Sequence, residues 1–415
     1  MKVEIVSTDS QDRQELPDSW RWVKLGDVCK QDRQIVEPNT SEAEALPYYS
    51  LEHIEGQTGR ILKSPAFQLE DEGKSTTFLF DDRHVLYGKL RPYLNKVALP
   101  FNAGRCTTEL IPLLPDDNVD RIFLAWLLRR QETVDFAMGE KTGSRMPRAD
   151  MNSLLTLSVP IPPLPEQQRI AAVLKEQMAA VDKARAAAEE RLAAIKALPA
   201  AFLRQVFPEP DQPLPDTWHW VRLGEIFNIT SSKRVFESDW QTEGVPFYRA
   251  REIVKLSQQG FVNNDLFITE EMFAEYSNKY GIPKAGDIMV TGVGTLGICY
   301  VVRDSDRFYF KDGNIIWLKK NSDVESAFIE YAFRSDVLRE QIDDSSGATV
   351  GTYTIIKAKN TRVSVPSLPE QKRIIVALDE QIAAVEKARR AADAELETIN
   401  ALPASLLRRA FNGEL

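Results

Sequence analysis

Cysteine and histidine are scarce in this 415-residue chain, which limits the chemistry it can carry. There are three cysteines, Cys29, Cys106 and Cys299, and no two of them form a CxxC motif. The three histidines are scattered along the chain, so neither a disulfide framework nor a Cys/His zinc site is indicated. We interpret the cysteines as ordinary buried thiols. No apolar run is long enough to cross a membrane and no secretion signal begins the chain, so we expect a soluble, cytoplasmic protein.

Catalytic signatures are missing as well. The sequence contains no Asn-Pro-Pro-Tyr or Asp-Pro-Pro-Tyr motif, no glycine-rich AdoMet loop followed by a helix, no Walker A lysine and no HExxH. One GxGxxG string, Gly292–Gly297, precedes Ile-Cys-Tyr-Val-Val, which is typical of a returning strand and not of the helix that a dinucleotide site requires. We therefore expect a recognition protein with no enzymatic activity, metal or cofactor of its own.

A net charge of −9 argues against a chain that coats nucleic acid nonspecifically, although a local basic cleft is compatible with it. Composition is otherwise that of a globular protein, with 43% hydrophobic and 27% charged residues. A chain of this length is too long to fold around one small hydrophobic core, so we expect two to four domains.

The chain is internally duplicated. Residues 16–27 return as residues 214–225 with 8 of 12 positions identical, and residues 164–207 return as 368–411 with 26 of 44 identical. The bodies between these ends match only in patches. We therefore predict one scaffold that carries two globular heads, which perform related functions on different targets. The predicted divisions are the first head at 1–163, the first long-helix region at 164–207, the second head at 208–367 and the second long-helix region at 368–415.

Each closing region has the pattern of one long helix. Glu166 to Lys196 contains no glycine or proline and would extend about 45 Å at 1.5 Å per residue. Apolar and small residues step by four and three, the spacing of a narrow seam for a partner helix. We expect an antiparallel, pseudo-twofold pair; the alternative is that each helix packs only on its own head. The seam positions are Ile170, Leu174, Gln177, Val181 and Ile195 in the first helix and Ile374, Leu378, Gln381, Val385 and Ile399 in the second.

Proline follows each seam at Pro199 and Pro403, where we predict that the helix kinks or restarts. The apolar residues beyond the prolines either close the core or dock another subunit, and two equivalent surfaces would recruit two copies of a partner. These docking candidates are Leu203, Phe207, Leu407 and Phe411.

Candidate binding residues lie on loops of the heads. Residues 82–99 have the pattern of a strand, a basic and aromatic loop and a second strand, and residues 286–302 match them in the second head. Such loops suit contact with DNA phosphates and base edges, although a solvated hairpin or charged surface strand has the same composition. Small polar loops at 142–148 and 346–353 precede strands. The candidates are Lys89, Arg91, Tyr93, Asn95, Lys96, Arg145, Arg148, Lys233, Arg234, Arg249, Arg251, Thr291, Thr295, Thr349 and Tyr353.

The order of these features resembles the DNA-specificity subunit of type I restriction-modification systems. The resemblance covers nearly the whole chain and rests on the Trp-containing openings, Leu164-Pro-Glu-Gln167 and Leu368-Pro-Glu-Gln371, the loop Lys89–Lys96, and the ending Ala410-Phe-Asn-Gly-Glu-Leu415. It implies an α+β fold with two mixed α/β target-recognition domains separated by two long helices that form an antiparallel, coiled-coil-like spacer.

The resemblance also implies a function. Each recognition domain would read one half of a split, asymmetric site on double-stranded DNA, and the helices would fix the unread gap and bind two methyltransferase subunits that carry AdoMet. Motor-nuclease subunits can join such a complex. Two other classes stay open: a two-headed adaptor whose heads bind protein, and an unrecognised methyltransferase or nuclease.

Overall fold

The computed structural model describes residues 16–38, 40–62, 75–139, 146–210, 212–343 and 351–415. The chain forms two compact units, each made of one head together with segments of both long helices. The first unit comprises Met1–Glu189 and Ala394–Leu415, and the second comprises Glu190–Asp393.

The first head is a mixed α/β structure, as the resemblance implies. Its strands are β1 Arg21–Lys24, β2 Cys29–Gln31, β3 Ile35–Val36, β4 Tyr48–Tyr49, β5 Thr77–Phe80, β6 Val85–Gly88, β7 Val97–Ala98, β8 Gly104–Thr107, β9 Leu110–Pro115 and β10 Ser158–Ile161. Its helices are α1 Ser41–Ala45, α2 Arg121–Leu128, α3 Gln131–Met138 and α4 Met151–Leu154, and α5 Leu164–Val206 follows. The strands form sheets in the orders β2-β9-β6-β7, β3-β5-β8-β4 and β1-β10, antiparallel except for β4 and β8.

The second head repeats this plan and adds helices between its strands. Its strands are β11 His219–Arg222, β12 Phe227–Thr230, β13 Val245–Tyr248, β14 Phe267–Ile268, β15 Ile288–Thr291, β16 Cys299–Val301, β17 Tyr309–Phe310, β18 Ile315–Lys320 and β19 Arg362–Val365. Its helices are α6 Leu223–Ile226, α7 Ala250–Gln259, α8 Glu270–Tyr280, α9 Ser326–Arg334, α10 Asp336–Asp343 and α11 Ile355–Asn360, and α12 Leu368–Phe411 follows. The sheet orders are β12-β18-β15-β16, β14-β13-β17 and β11-β19.

The repeated opening motif joins each head to the start of its long helix. In the first unit, β1 pairs antiparallel with β10, which leads into α5, and the Leu25 N–H donates to the Leu157 carbonyl at 2.8 Å. A Cβ at Gly26 would lie 3.2 Å from the Leu155 carbonyl oxygen, so glycine permits this close approach. The second unit repeats the arrangement with β11 and β19 and with the Leu223 N–H donating to Thr361 at 2.9 Å. A packing requirement therefore explains why the two openings match.

The long helices exceed their predicted length. The helix α5 has 43 residues, about 65 Å at 1.5 Å per residue, and α12 has 44. Of the two predicted outcomes at Pro199 and Pro403, a restart of the helix is wrong, because both prolines lie inside continuous helices, whereas a kink stays a prediction. Beyond Pro199, Phe207 is buried in the second head, and this packing holds the helical segment although the proline cannot donate a hydrogen bond.

The helix segments within the first unit run antiparallel. Arg169 of α5 donates to the Leu415 carbonyl at 2.7 Å, and Arg185 donates to the Asn400 side chain at 2.8 Å. Residue numbers therefore rise along one segment while they fall along the other, which confirms the predicted direction. Ile170 and Leu174 belong to the same core as head residues and as Phe411, so α5 packs on its own head and on α12 together.

The predicted seam positions differ in their burial. Ile195 and Ile399 are half-buried, whereas the equivalent glutamines diverge: Gln177 is half-buried and Gln381 is exposed. The Gln177 Oε1 atom is buried and has no hydrogen-bond partner in the described chain. Its role in fixing the register stays a prediction. The buried seam residues are Ile170, Leu174 and Val181 in α5 and Ile374, Leu378 and Val385 in α12.

Candidate nucleic-acid interface

The basic loop of the first head is a hairpin connection, as the sequence predicts. The strands β6 and β7 pair antiparallel, and a 3-10 turn at Pro92–Leu94 lies between them. Arg91 and Asn95 flank the turn with φ values of 53° and 50°, a left-handed conformation that few residues other than glycine adopt. The Arg91 N–H donates to the Pro147 carbonyl at 2.7 Å. The hairpin loop and the segment that contains Arg148 therefore lie side by side.

Three of the predicted contact residues in this region bind other parts of the head. The Asn95 amide donates to the Arg129 carbonyl at 2.8 Å, and the Lys96 ammonium donates to the Leu51 carbonyl at 2.6 Å. Arg148 forms an ion pair with Glu109 at 3.1 Å. These side chains hold the loop in position, and any contact with DNA would compete with these bonds.

Other predicted residues of the loop remain accessible. The Tyr93 ring is 45% exposed, and Lys89 and Arg91 are half-buried. The Arg91 Nε atom is buried and has no hydrogen-bond partner within the described ranges. Tyr93, Lys89 and Arg91 are therefore the best placed of the first-head candidates. Arg145 lies outside the described residues.

The glycine-rich segment of the second head is also a hairpin loop. The strands β15 and β16 pair antiparallel on either side of it, so the interpretation of its GxGxxG string as a turn between strands is confirmed. Thr291 is fully buried, and its hydroxyl donates to the Thr295 carbonyl at 2.5 Å and accepts from the Ile298 N–H at 3.0 Å. The prediction that Thr291 contacts DNA is corrected on this ground, whereas Thr295 is exposed.

Tyr353 is a second correction. It is 2% exposed, its hydroxyl shares a hydrogen bond with Thr361 at 2.8 Å, and its ring meets Phe333 edge to face. Burial raises the pKa of the Tyr353 phenol, so the group stays neutral. Its N–H donates to the Gly292 carbonyl at 3.0 Å, and this bond ties the hairpin loop to the segment before α11. Thr349, the neighbouring candidate, lies outside the described residues.

The three candidate arginines of the second head are paired with acids. Arg249 and Arg251 both bind Asp265, at 3.0 and 2.6 Å, and both also bind the buried Glu252. The hydrogen bond from Arg251 holds the pKa of Asp265 below its usual range. Arg234 binds Asp312 at 3.0 Å. These guanidinium groups are less available to phosphates than their sequence pattern suggests.

Lys233 contacts aromatic side chains of its own head. Its backbone N–H donates to the Tyr309 hydroxyl at 3.0 Å, and its ammonium lies 5.9 Å from the centre of the Tyr280 ring. Tyr280 is itself 44% exposed. Lys233 and Thr295 are both exposed, and Tyr280 adds an accessible aromatic ring beside Lys233.

The four docking candidates close the cores of the heads. Phe411 packs against Phe123 of the first head with ring centres 5.1 Å apart, and Phe207 packs against Phe328 of the second at 5.2 Å. Both phenylalanines are 2% exposed, so a partner cannot reach them in the folded chain. Of the two roles left open by the sequence, closing the core is the correct one. Leu203 and Leu407 are likewise buried in these cores.

Sequence reasoning missed the role of the repeated Leu-Pro-Glu-Gln motif. The Gln167 side chain is 1% exposed; its amide donates to the Asn118 and Pro162 carbonyls, and its oxygen accepts from the Asp120 N–H at 2.8 Å. Gln371 accepts from the Glu325 N–H at 2.9 Å in the second unit. Each glutamine thus joins the start of a long helix to the start of a head helix.

The described residues show neither metal-binding nor membrane-spanning features. Among them, no group of three or more His, Cys, Asp and Glu side chains could hold a metal ion. The helices of the described ranges, α5 and α12 included, lack an apolar stretch of membrane-spanning length. The three cysteines are buried and unpaired, as predicted.

Comparison with known proteins identifies the family. The model of the type I restriction modification DNA specificity domain matches residues 17–190 and again residues 215–396. The EcoDI specificity subunit of Escherichia coli is 29% identical over 199 residues, 46% of this chain and 42% of that protein, so this match spans about two fifths of the relative. The MjaVIII specificity subunit of Methanocaldococcus jannaschii is 22% identical over 383 residues, 86% of this chain and 84% of that protein.

A solved structure has the same fold along the whole chain. That structure describes the complex assembly and conformational transition of the type I R-M system. Its matching chain is 25% identical to this one, and the alignment has a TM-score of 0.79 and covers 97% of this chain and 100% of the matching chain. Two copies of one domain model, at the positions of the two heads and their helices, account for most of the sequence. This chain therefore belongs to the family of type I restriction modification DNA specificity domains.

Proposed function

We propose that this chain is the noncatalytic specificity subunit of a type I restriction-modification complex, and that each head reads one half of a bipartite, asymmetric DNA site. One observation carries the proposal. Equivalent hairpins in the two heads, β6–β7 and β15–β16, present different side chains: Tyr93, Lys89 and Arg91 in one and Thr295 among glycines in the other. Different polar groups on the same scaffold suit the reading of different base edges.

The proposal assigns the gap and the partners to the long helices. Their antiparallel direction within the first unit supports a spacer whose length fixes the separation of the half-sites. The proposal includes two methyltransferase subunits that carry AdoMet and bind the helical region, since the duplicated chain offers two equivalent surfaces, and motor-nuclease subunits that join the assembly. The buried Phe207 and Phe411 are excluded as the docking residues, so docking falls to exposed helix faces.

The gap assignment is tested by shortening the spacer. Removal of seven residues from each long helix shortens it by about 10 Å, which corresponds to about three base pairs. Seven residues are nearly two helical turns, so the flanking faces keep their orientation to within about 20°. We expect a methylation map of cells that carry the variant complex to show a shorter gap between unchanged half-sites. A control variant that combines Ala186→Ser and Ala187→Ser, both at exposed positions, should keep the original gap.

An unchanged gap, or altered half-sites, would contradict this assignment. The assignment of heads is tested separately with Tyr93→Ala and Thr295→Ala in the assembled complex. Each should relax the preference at one half-site only, at a cost of about 1–3 kcal/mol for a lost base contact. Binding of duplex DNA that neither depends on salt nor discriminates sequence would favour the adaptor class instead.

A further inference from the structure

A cavity of about 460 Å³ lies in the first unit, between the head and its two helix segments. Its lining includes Asn95, Trp126 and Arg129 from the head. Met178 of α5 and Leu407 of α12 contribute apolar walls. The helices also contribute the polar side chains of Asp182, Arg185 and Asn400. The cavity therefore combines polar groups with apolar surface, as small-molecule sites do.

Arg129 is a buried cation without a matching anion. Its side chain is 93% inaccessible, lies 4.6 Å over the Trp126 ring, and donates twice to the Val97 carbonyl, at 3.1 and 2.6 Å. No carboxylate of the described chain forms an ion pair with it. Burial lowers the pKa of Arg129 to about 10, so the group still carries its proton at neutral pH. Burying such a charge is costly unless an anion accompanies it.

Two further polar atoms at this cavity have no partner. The Trp126 Nε1 and Asn95 Oδ1 atoms are both buried, and neither forms a hydrogen bond to any residue that the structure describes. The first is a donor and the second an acceptor. Buried groups of this kind are satisfied in most proteins, so an occupant that supplies their partners would be favoured.

The second unit has an equivalent arginine and aromatic residue, and there the chain itself supplies their hydrogen-bond and ion-pair partners. The backbone N–H groups of Asp120 and Glu325 donate to Gln167 and Gln371, respectively, which aligns α2 with α9. Trp126 then corresponds to Tyr331, and Arg129 to Arg334, whose guanidinium likewise lies over the aromatic ring, at 5.4 Å.

Carboxylates of the chain satisfy both groups of the second unit. Arg334 forms an ion pair with Glu330, and the Tyr331 hydroxyl donates to Asp379. The equivalent positions of the first unit hold Ala125 and Lys175, neither of which carries an acid. Carboxylates at these two positions therefore serve only the second unit. The two acids that line the cavity of the first unit, Glu55 and Asp182, pair with Arg60 and Arg185 and not with Arg129.

We propose that this cavity of the first unit binds a small organic anion, a carboxylate or phosphate ester with a flat ring and a hydrogen-bond donor. The anionic group would pair with Arg129 and accept from the Trp126 N–H. The ring would lie along Met178 and Leu407, and the donor would meet Asn95 Oδ1. The site shares Asn95 with the basic loop but none of the accessible side chains proposed to read DNA, Tyr93, Lys89 and Arg91, so either proposal can fail alone.

The test uses the full-length chain labelled with 5-fluorotryptophan and followed by fluorine NMR, with Trp126→Phe identifying the Trp126 resonance. The probes are 4-hydroxybenzoate for a carboxylate, phenyl phosphate for a phosphate ester, and 4-hydroxybenzamide as the neutral control. We expect at least one anion to shift this resonance saturably with a Kd of about 1 mM or lower, and the amide to bind at least about tenfold more weakly.

Variants separate a specific site from a general response. Arg129→Gln should weaken anion binding at least about tenfold, whereas Arg334→Gln, the matched change in the second unit, should leave it unchanged. If Arg129→Gln does not fold, Lys175→Asp supplies the acid that Asp379 provides in the second unit, at an exposed position, and should weaken binding to a similar extent. No saturable shift up to about 10 mM, equal binding of the amide, or unchanged affinity in Lys175→Asp would each overturn the proposal.

Discussion

The buried glutamine at the start of each long helix gives the sharpest stability prediction. Gln167→Met keeps the length of the side chain but removes three hydrogen bonds, to Asn118 O at 3.1 Å, to Pro162 O at 2.9 Å and from Asp120 N–H at 2.8 Å. Each backbone group left without its partner costs about 1–3 kcal/mol. Taking about 1 kcal/mol for each, we expect the variant to lower the free energy of unfolding of the first unit by about 3 kcal/mol.

Gln371→Met is the matched variant in the second unit. Gln371 makes two such bonds, to Pro366 O and from Glu325 N–H, both at 2.9 Å. The same reasoning gives a loss of about 2 kcal/mol. The first substitution should therefore be the more damaging by about 1 kcal/mol, although both residues occupy the same position of the same motif.

Hydrogen exchange measures the two units separately, which matters because a chain with two units need not unfold in one step. Exchange of the Asp120 amide should accelerate about 150-fold in Gln167→Met, and that of the Glu325 amide about 30-fold in Gln371→Met, at 1.4 kcal/mol per factor of ten. Gln168→Met, at the exposed neighbouring position, is the control and should change little. Equal effects of Gln167→Met and Gln168→Met would refute the reasoning.

Three further predictions concern packing, thiols and acid. Phe411→Ala and Phe207→Ala should each lower the free energy of unfolding of their own unit by about 3–4 kcal/mol in chemical denaturation, because each leaves a cavity beside a buried ring. The control Leu402→Ala, at an exposed position, should cost under about 0.5 kcal/mol. The three buried cysteines, whose thiol pKa values burial raises, should react with a disulfide reagent at pH 8 only after denaturation. Hydrogen bonding by Arg83 lowers the pKa of Asp81 to about 2. The ionised Asp81 therefore stabilises the folded chain above the unfolded pKa of about 4, and this stabilisation is lost as the pH falls towards 2. Asp81→Asn should lower the Tm at pH 7 but not at pH 2.

The duplication and the local elements are predictable because their signals are local or repeated. Short apolar runs on either side of a loop that contains Pro92 are enough to predict the β6–β7 hairpin. The β-branched and aromatic run after Gly297 is enough to exclude a helix there. Helical spacing likewise predicts α5 and α12. Their extension through Pro199 and Pro403 is not predictable, because it depends on the packing of Phe207 and of its equivalent in the other head.

The candidate site was harder to predict because partners distant in sequence decide which side chains are available. Arg251 binds Asp265, and Tyr353 binds Thr361 within a core that also contains Phe333. No spacing rule identifies these pairs. A polar residue in a loop therefore indicates a candidate contact, and only its partners in the fold decide whether it is free to make one.

The pairing of arginines with acids bears on how the heads would discriminate DNA. Arg148, Arg234 and Arg251 each bind a carboxylate, and the whole chain carries a net charge of −9. A phosphate that approaches such an arginine must displace or share the acid, so contacts to the backbone of arbitrary DNA gain little. Base-edge hydrogen bonds that form only at the correct sequence would then supply a larger share of the binding free energy. In the proposed function, weak nonspecific binding by this acidic chain favours discrimination between sequences.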